Sequence, residues 1–435
     1  MLRRILVGAA IVAALAEVGV LVWLRQGLYH RFVLFPRQEK AWAALREQRQ
    51  PITNEIGWKE FRGILHSHSK YSHDCEVPFE EILAVLKKAE VDFICLSDHC
   101  VNGRADFSLQ WRGLREGELF IPGFEMKEGM MPFGVAPGIV LSNATDSAML
   151  ARQVVEHGGV LFYAHPEEAR AWDRPELAGM EIYNIHADFK SHGGKLSSLL
   201  PDLLLNQRRF PDQVFRTLFH RPEPFVRRWD ELNQGRHITG IAGNDCHQNT
   251  GLRAFYTTNG TVRIEDTSPR TLKEITLNWL TRPLARICFG PLQPNRRLFH
   301  VQLDPYERMA RFVNTHVWAQ DLTEPQILDA LRAGRVFVGF DMLADSTGFQ
   351  WVAAGSGAMT VMGEATDYKA GLELVARSPV PCRFSLSRNA TLVFRREGRT
   401  IRWAAPGPGK YRVEAELQVA GRWEPWVYAN PIELR

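Results

Sequence analysis

The chain has 435 residues, more than a usual single domain, and its 45% hydrophobic content is ample for a packed core. A formal net charge of +4 spread over both signs, with no lysine-arginine stripe interleaved with aromatics, argues against a nucleic-acid partner. Six cysteines without a Cys-x-x-Cys spacing indicate neither a zinc ribbon nor a dense disulfide scaffold.

The first module, residues 1–28, reads as a transmembrane or signal-anchor segment. Ile5 to Leu24 is nearly unbroken apolar sequence of membrane-spanning length, interrupted only by Glu17. A signal peptide cut after Ala14-Leu15-Ala16 is the alternative, but hydrophobicity continues through Val18 to Leu24, which favours a retained anchor. Arg3 and Arg4 face Arg25, Arg31 and Arg37 across the span, so charge leaves the topology open. The reading adopted places the rest of the chain outside the cytoplasm, as in a periplasmic enzyme.

Residues 50–342 read as an α/β unit with helical insertions. Short β-type runs without polar alternation, the pattern of strands buried on both faces, end in metal-ligand residue types. Phe61 to Leu65 ends in His66-Ser67-His68, and Val91 to Leu96 in Ser97-Asp98-His99. Leu119 to Phe124 ends in Glu125, Gly159 to Ala164 in His165, and Ile238 to Gly243 in Asn244-Asp245-Cys246-His247. Pro78 to Ala89 is an amphipathic crossover helix with acids first and lysines last. Ala148 to His157 is a second helix, stopped by Gly158-Gly159. Ligands at the C-terminal ends of parallel strands converge on one mouth. Leu196 to Arg236 is an insertion, read as surface packing with a lid or rim as the alternative. Residues 343–435 turn to β runs separated by Gly and Pro (371–376, 390–394, 411–417), the pattern of an antiparallel β-sandwich.

The pattern His66-x-His68-x-x-x-Ser72-x-Asp74, followed by Asp98-His99, Gly123-x-Glu125, Ala164-His165-Pro166 and Asp245-x-His247, resembles the PHP (polymerase and histidinol phosphatase) metallohydrolases over roughly residues 56–260. Ala330 to Val338, Tyr411 to Glu414 and Trp426 to Ile432 are similar to the carbaryl-hydrolase-like branch of that family. The resemblance implies a distorted (βα)7-type barrel and a trinuclear site. His66, His68, Glu125 and Asp245 would hold one ion, and Glu125 would bridge to a second with His165 and a further histidine. Asp74, His99 and His247 would hold the third. His186, after the strand Met180 to Ile185, is the candidate for the further histidine, with His192 as substitute. The family's histidine on the strand after the bridging glutamate is missing, since Lys127 to Asn143 contains none.

Imidazoles mixed with carboxylates suit zinc, manganese or iron, and two or three divalent ions are expected. Glu125 and Asp245 are the expected catalytic residues, through a metal-bound hydroxide. Arg253, Arg104 and Lys70, near His247, His99 and His68, are the candidate substrate-binding cations. The expected activity is that of a metal-dependent phosphoesterase acting on a small phosphorylated molecule or head group. The alternatives are a carbamate or amide hydrolase and a non-catalytic metal-holding binding protein. His73, His157, His220, His237, His300 and His316 read as ordinary polar residues. Cys75, Cys100 and Cys246 flank ligands; either they are buried and point away, or two are bridged, Cys100 with Cys246.

Overall fold

The computed structural model describes Gly19 and residues 22–435, apart from 192–195, 268–270 and 356–357. The apolar run Ile5 to Leu24 and His192 therefore fall almost wholly outside the described residues. Among those described, no helix is long and apolar enough to cross a membrane.

The first long helix, α1 (Phe35–Gln48), leads into β1 (Lys59–Ser67). Then follow α2 (Phe79–Ala89), β2 (Phe93–Cys95), β3 (Glu118–Ile121), β4 (Met130–Phe133), α3 (Ser147–Glu156), β5 (Val160–Tyr163) and β6 (Leu177–Asn184). Four helices precede β7 (Thr239–Cys246): a short one, Ile185–Ser191, which carries His186, then α4 (Leu196–Leu205), α5 (Pro211–Arg216) and α6 (Glu223–Gly235). Each apolar run read from the sequence thus lies in a strand, and both helices stand where their periodicity put them. Glu80 and Glu81 open α2 and Lys87 and Lys88 close it; Asp146 caps α3 by accepting from Ala148 and Met149 backbone N–H.

Strand pairing runs β3–β2–β1–β7–β6–β5, all parallel, and β4 joins β5 antiparallel. An antiparallel bridge between Gly123, just after β3, and Phe133 of β4 returns the path to its start. Alternation along these strands makes two apolar faces. Leu65, Phe93, Cys95, Leu119, Ile121, Met131, Phe133, Phe162 and Ile241 pack together. Ile64, Ile94, Phe120, Leu161, Met180 and Ile182 join Ile82 and Leu86 of α2 and Trp229 of α6. Burial on both faces is why the runs lack polar alternation.

Beyond β7 comes an element the sequence reading did not foresee, a separate antiparallel sheet of β8 (Gly251–Tyr256), β9 (Thr261–Asp266), β10 (Thr271–Thr276) and β11 (Arg297–Gln302). Helix α7 (Thr281–Phe289) lies between its last two strands in sequence. The chain then rejoins the main sheet. β12 (Asn314–Ala319) pairs antiparallel with the first half of β1, and β13 (Val336–Gly339), after α8 (Glu324–Ala333), pairs with β12. Ile327 and Leu331 of α8 pack into the first apolar face.

The C-terminal strands β14 (Gln350–Gly355), β15 (Glu373–Arg388), β16 (Thr391–Ala404), β17 (Gly409–Val419) and β18 (Arg422–Ala429) pair antiparallel. They are not detached from the rest, because β18 pairs with β13. Hydrogen bonding is therefore continuous across the expected boundary at 342/343. Of the insertion, α4 and α5 pack against the start of α1, with Leu199, Phe210 and Val214 around Phe35, while α6 packs on the main sheet through Val226 and Trp229.

Candidate metal centre

Three of the side chains that end these strands sit on strained backbone. His66, His165 and Asp245 have φ of 60°, 53° and 51°, in the left-handed region that side chains other than glycine's seldom adopt. The turn swings each ligand inward at the strand end. A two-residue parallel pairing sets His99 beside Glu125.

His66 Nε2 lies 3.2 Å from Asp245 Oδ1 and 3.4 Å from Glu125 Oε2. His68 Nε2 lies 3.4 Å from Asp245 Oδ1 and 3.7 Å from Glu125 Oε2. Ligands about 2.1 Å from one ion in a tetrahedron stand about 3.4 Å from each other, so His66 Nε2, His68 Nε2 and Asp245 Oδ1 fit a single ion, while Glu125 is grouped with His66 and His165. His66 Nε2, His68 Nε2 and Asp245 Oδ1 are also buried with no hydrogen-bond partner. Such atoms are costly to leave unsatisfied, and an ion is what satisfies them together.

The other oxygens face outward from this group. Glu125 Oε1 is 3.1 Å from His165 Nε2, and Asp245 Oδ2 is 3.8 Å from both His165 Nε2 and His186 Nδ1. On the opposite side Asp74 Oδ2 is 3.1 Å from His247 Nε2 and 3.4 Å from His99 Nε2. Four groups of mutually close ligand atoms result: His68-Asp74-His99-His247, His66-Glu125-His165, His66-His68-Asp245 and His186-Asp245-His247. All nine expected ligands are among them. His186 is grouped with Asp245 and His247, not with Glu125 and His165.

Electrostatics keep the carboxylates ionised and His68 neutral. Burial raises the carboxyls, but His66 and His165 hold Glu125 well below the usual range, and His66, His247 and His186 do the same for Asp245. Burial and the neighbouring His247 ring push His68 down to about 3, leaving it neutral with a free lone pair. Burial opposes protonation of His165 and His247 too, yet their carboxylate partners, Glu125 and Glu167 for the first and Asp245 and Asp74 for the second, bring both to about 10.

The residue that sequence reasoning missed is Glu181. Fully buried in β6, its Oε1 accepts from His66 Nδ1 at 2.5 Å, and its Oε2 accepts from His165 N–H and Asn184 Nδ2, both at 2.9 Å. It thereby fixes the tautomer that aims His66 Nε2 at the centre. A Cβ on Gly243 would lie 2.1 Å from Glu181 Oε1, so β7 needs glycine there. The signal was one acid inside the apolar run Met180 to Ile185. Ser72 does the same for the other side: its hydroxyl donates to Asp74 Oδ1 at 2.8 Å and accepts from His68 Nδ1 and His99 N–H, both at 3.1 Å.

The expected substrate cations lie differently. Arg253 donates from Nε to Glu265 Oε2 at 3.0 Å and stands 3.6 Å from Glu76. Arg104 is exposed in a short strand, and the Lys70 ammonium lies over the Tyr71 ring at 5.6 Å. The Cys100–Cys246 bridge is not formed: all six cysteines are free. Cys75 and Cys246 are buried instead, with Cys75 Sγ turned to the His68 carbonyl. A narrow apolar crevice, with room for little more than a water molecule, lies beside His186 and is lined by Phe215, Leu218, Phe219, Leu303 and Met309. The 196–236 insertion thus forms part of the rim.

Fold and site together define a mixed α/β protein with a polynuclear set of metal-ligand side chains at the ends of parallel strands. No family model matches the sequence, and neither does any curated protein. Among solved structures it is similar to a two-domain protein from Bacteroides vulgatus containing a predicted PHP-like metal-dependent phosphoesterase, with 11% identity, a TM-score of 0.34 and coverage of 89% of this chain and 98% of that one. The ligand distances, not this likeness, carry the reading of the site.

Proposed function

We propose that this protein is a metal-dependent phosphoesterase of the PHP type, its closed strand path being that family's distorted barrel. The observation that carries the reading is the convergence of His66 Nε2, His68 Nε2 and Asp245 Oδ1, buried and unpartnered, on one point, with Glu125 Oε2 3.4 Å from His66. Bound divalent ions would supply an acidified water and neutralise charge on a phosphoryl group. His66, His68 and Asp245 would hold the first ion, Glu125 and His165 beside His66 the second, and Asp74, His99 and His247 the third, with His186 on the Asp245-His247 side instead of beside His165. Glu181 and Ser72 keep the imidazoles aimed.

Three carboxylates among nine ligands cannot neutralise two or three divalent ions, so the loaded centre stays cationic. That favours an anionic phosphoester over a neutral carbamate. Lys70, Arg104 and Arg253 follow His68, His99 and His247 in the chain, and we assign them to the phosphate side.

The test is hydrolysis of p-nitrophenyl phosphate, bis-p-nitrophenyl phosphate and a naphthyl carbamate by chelator-treated protein, with and without added Mn²⁺ or Zn²⁺. Metal-restored turnover of a phosphate ester is expected. Turnover of the carbamate alone would replace this reading, and no turnover of any ester with either metal would reject catalysis.

A further inference from the structure

Helix α7 presents two sides. Towards the sheet of β8 to β11, Ala285 is buried, Arg282 donates to the Tyr256 hydroxyl at 3.0 Å, and the Phe289 and Phe299 rings meet at 6.1 Å. The spacing 282, 285, 289 is one helical face. The opposite face carries Leu280, Leu284 and Ile287, which are 64%, 60% and 80% exposed, with Trp279 at its start 86% exposed. Asn278 accepts from Leu280 and Thr281 N–H and Gly290 ends the helix in the left-handed region, so this exposed stripe belongs to a well-defined element.

What surrounds the stripe argues for its occupant. Residues 268–302 contain Arg270, Lys273, Arg282, Arg286, Arg296 and Arg297 against the single acid Glu274, in a chain whose whole net charge is +4. A short helix with an exposed Trp-Leu-Ile side, in a segment with this excess of arginine and lysine, has the composition of helices that seat in the headgroup layer of an anionic bilayer. A protein partner or a second copy would account for the apolar stripe but not for this local excess of one charge. The chain also carries an apolar run of membrane-spanning length, Ile5 to Leu24, and the helical turns after it expose Tyr29 and Phe32.

We propose that α7, with Trp279, Leu280, Leu284 and Ile287, docks on the surface of a membrane containing anionic phospholipid. The surface lies close to the metal ligands in the chain: β8 begins four residues after His247, and Asn249 donates to the Asp74 carbonyl at 3.1 Å. The proposal does not depend on the reaction catalysed.

The native Cys288, the exposed cysteine of the six, places a probe on this helix. Full-length protein labelled there with an environment-sensitive fluorophore is mixed with vesicles of phosphatidylcholine plus phosphatidylglycerol, or of phosphatidylcholine alone. Emission should rise and shift to the blue on the mixed vesicles, be quenched by lipid labelled in the headgroup region, and change little on phosphatidylcholine alone. The pair Leu284→Asp and Ile287→Asp should weaken the lipid response at least about tenfold, since two buried aliphatic side chains are lost, with circular dichroism unchanged. An unchanged emission on both vesicles overturns the proposal, as does an equal response from the double variant. Blue-shifted emission without lipid assigns the stripe to a second copy or to another part of the chain, and overturns it too.

Discussion

Glu125 is the ligand on which most of the centre turns, because its two oxygens face different groups: Oε2 is 3.4 Å from His66 and 3.5 Å from His99, and Oε1 is 3.1 Å from His165. Glu125→Ala should lower phosphoester turnover by on the order of a hundredfold or more, while a thermal melt of the metal-free protein stays close to wild type. Wild-type turnover in that variant would dismiss the bridging role. Glu181 acts through His66, so its removal should register first in metal binding. Glu181→Gln keeps the shape and loses the charge, and chelator competition should show affinity falling by about ten- to a hundredfold; unchanged affinity would make Glu181 a mere core residue. Most of the candidate ligands were legible in sequence because they end apolar runs, whereas Asp74, in the polar loop after β1, was read from the motif spacing. Glu181 was not, because its partner His66 is 115 positions away and nothing local marks the contact.

At the level of elements, the strands and helices around the centre could be read because periodicity is a local property. The sheet of β8 to β11 could not: β10 is exposed along its whole length, and the buried positions in the other strands are few, Ala254 and Tyr256 of β8 and Glu265 of β9. So few buried positions set no alternation to read. The pairing of β13 with β18 was equally invisible, since it joins segments about ninety residues apart. Asn430 secures that junction. It is fully buried, donates to the carbonyls of Gly240 at 3.0 Å and Val336 at 2.9 Å, and accepts from Gly240 N–H at 2.8 Å. Asn430→Ala removes the side-chain partner of the Gly240 N–H and carbonyl, while the Val336 carbonyl keeps the Asn430 N–H, and chemical denaturation should show a loss of about 2 kcal/mol. A change within about 0.5 kcal/mol, the range of an ordinary surface substitution, would mean that the junction does not rely on this side chain.

Across the whole molecule, one buried cluster away from the metal centre ties the parallel strands to the C-terminal sheet. His316 of β12 is fully buried, with Nδ1 2.7 Å from Glu60 of β1 and Nε2 2.8 Å from Asp341, beyond β13. Ser346 extends the link, its hydroxyl donating to Asp341 at 2.6 Å. Burial lowers the affinity of His316 for its proton, but Asp341 and Glu60 outweigh it and bring the imidazole to about 9 from an ordinary 6.5. The folded protein thus binds this proton more tightly than the unfolded chain. The resulting stability is complete below about pH 6.5 and is lost as pH rises through about 9, and a shift of that size corresponds to roughly 3 kcal/mol. Denaturant midpoints of metal-saturated protein should therefore fall between pH 6.5 and 9. In His316→Gln, which cannot titrate, the midpoint should start lower and lose most of that slope. Parallel slopes in the two proteins would place the alkaline sensitivity elsewhere and leave His316 a neutral hydrogen-bonding residue.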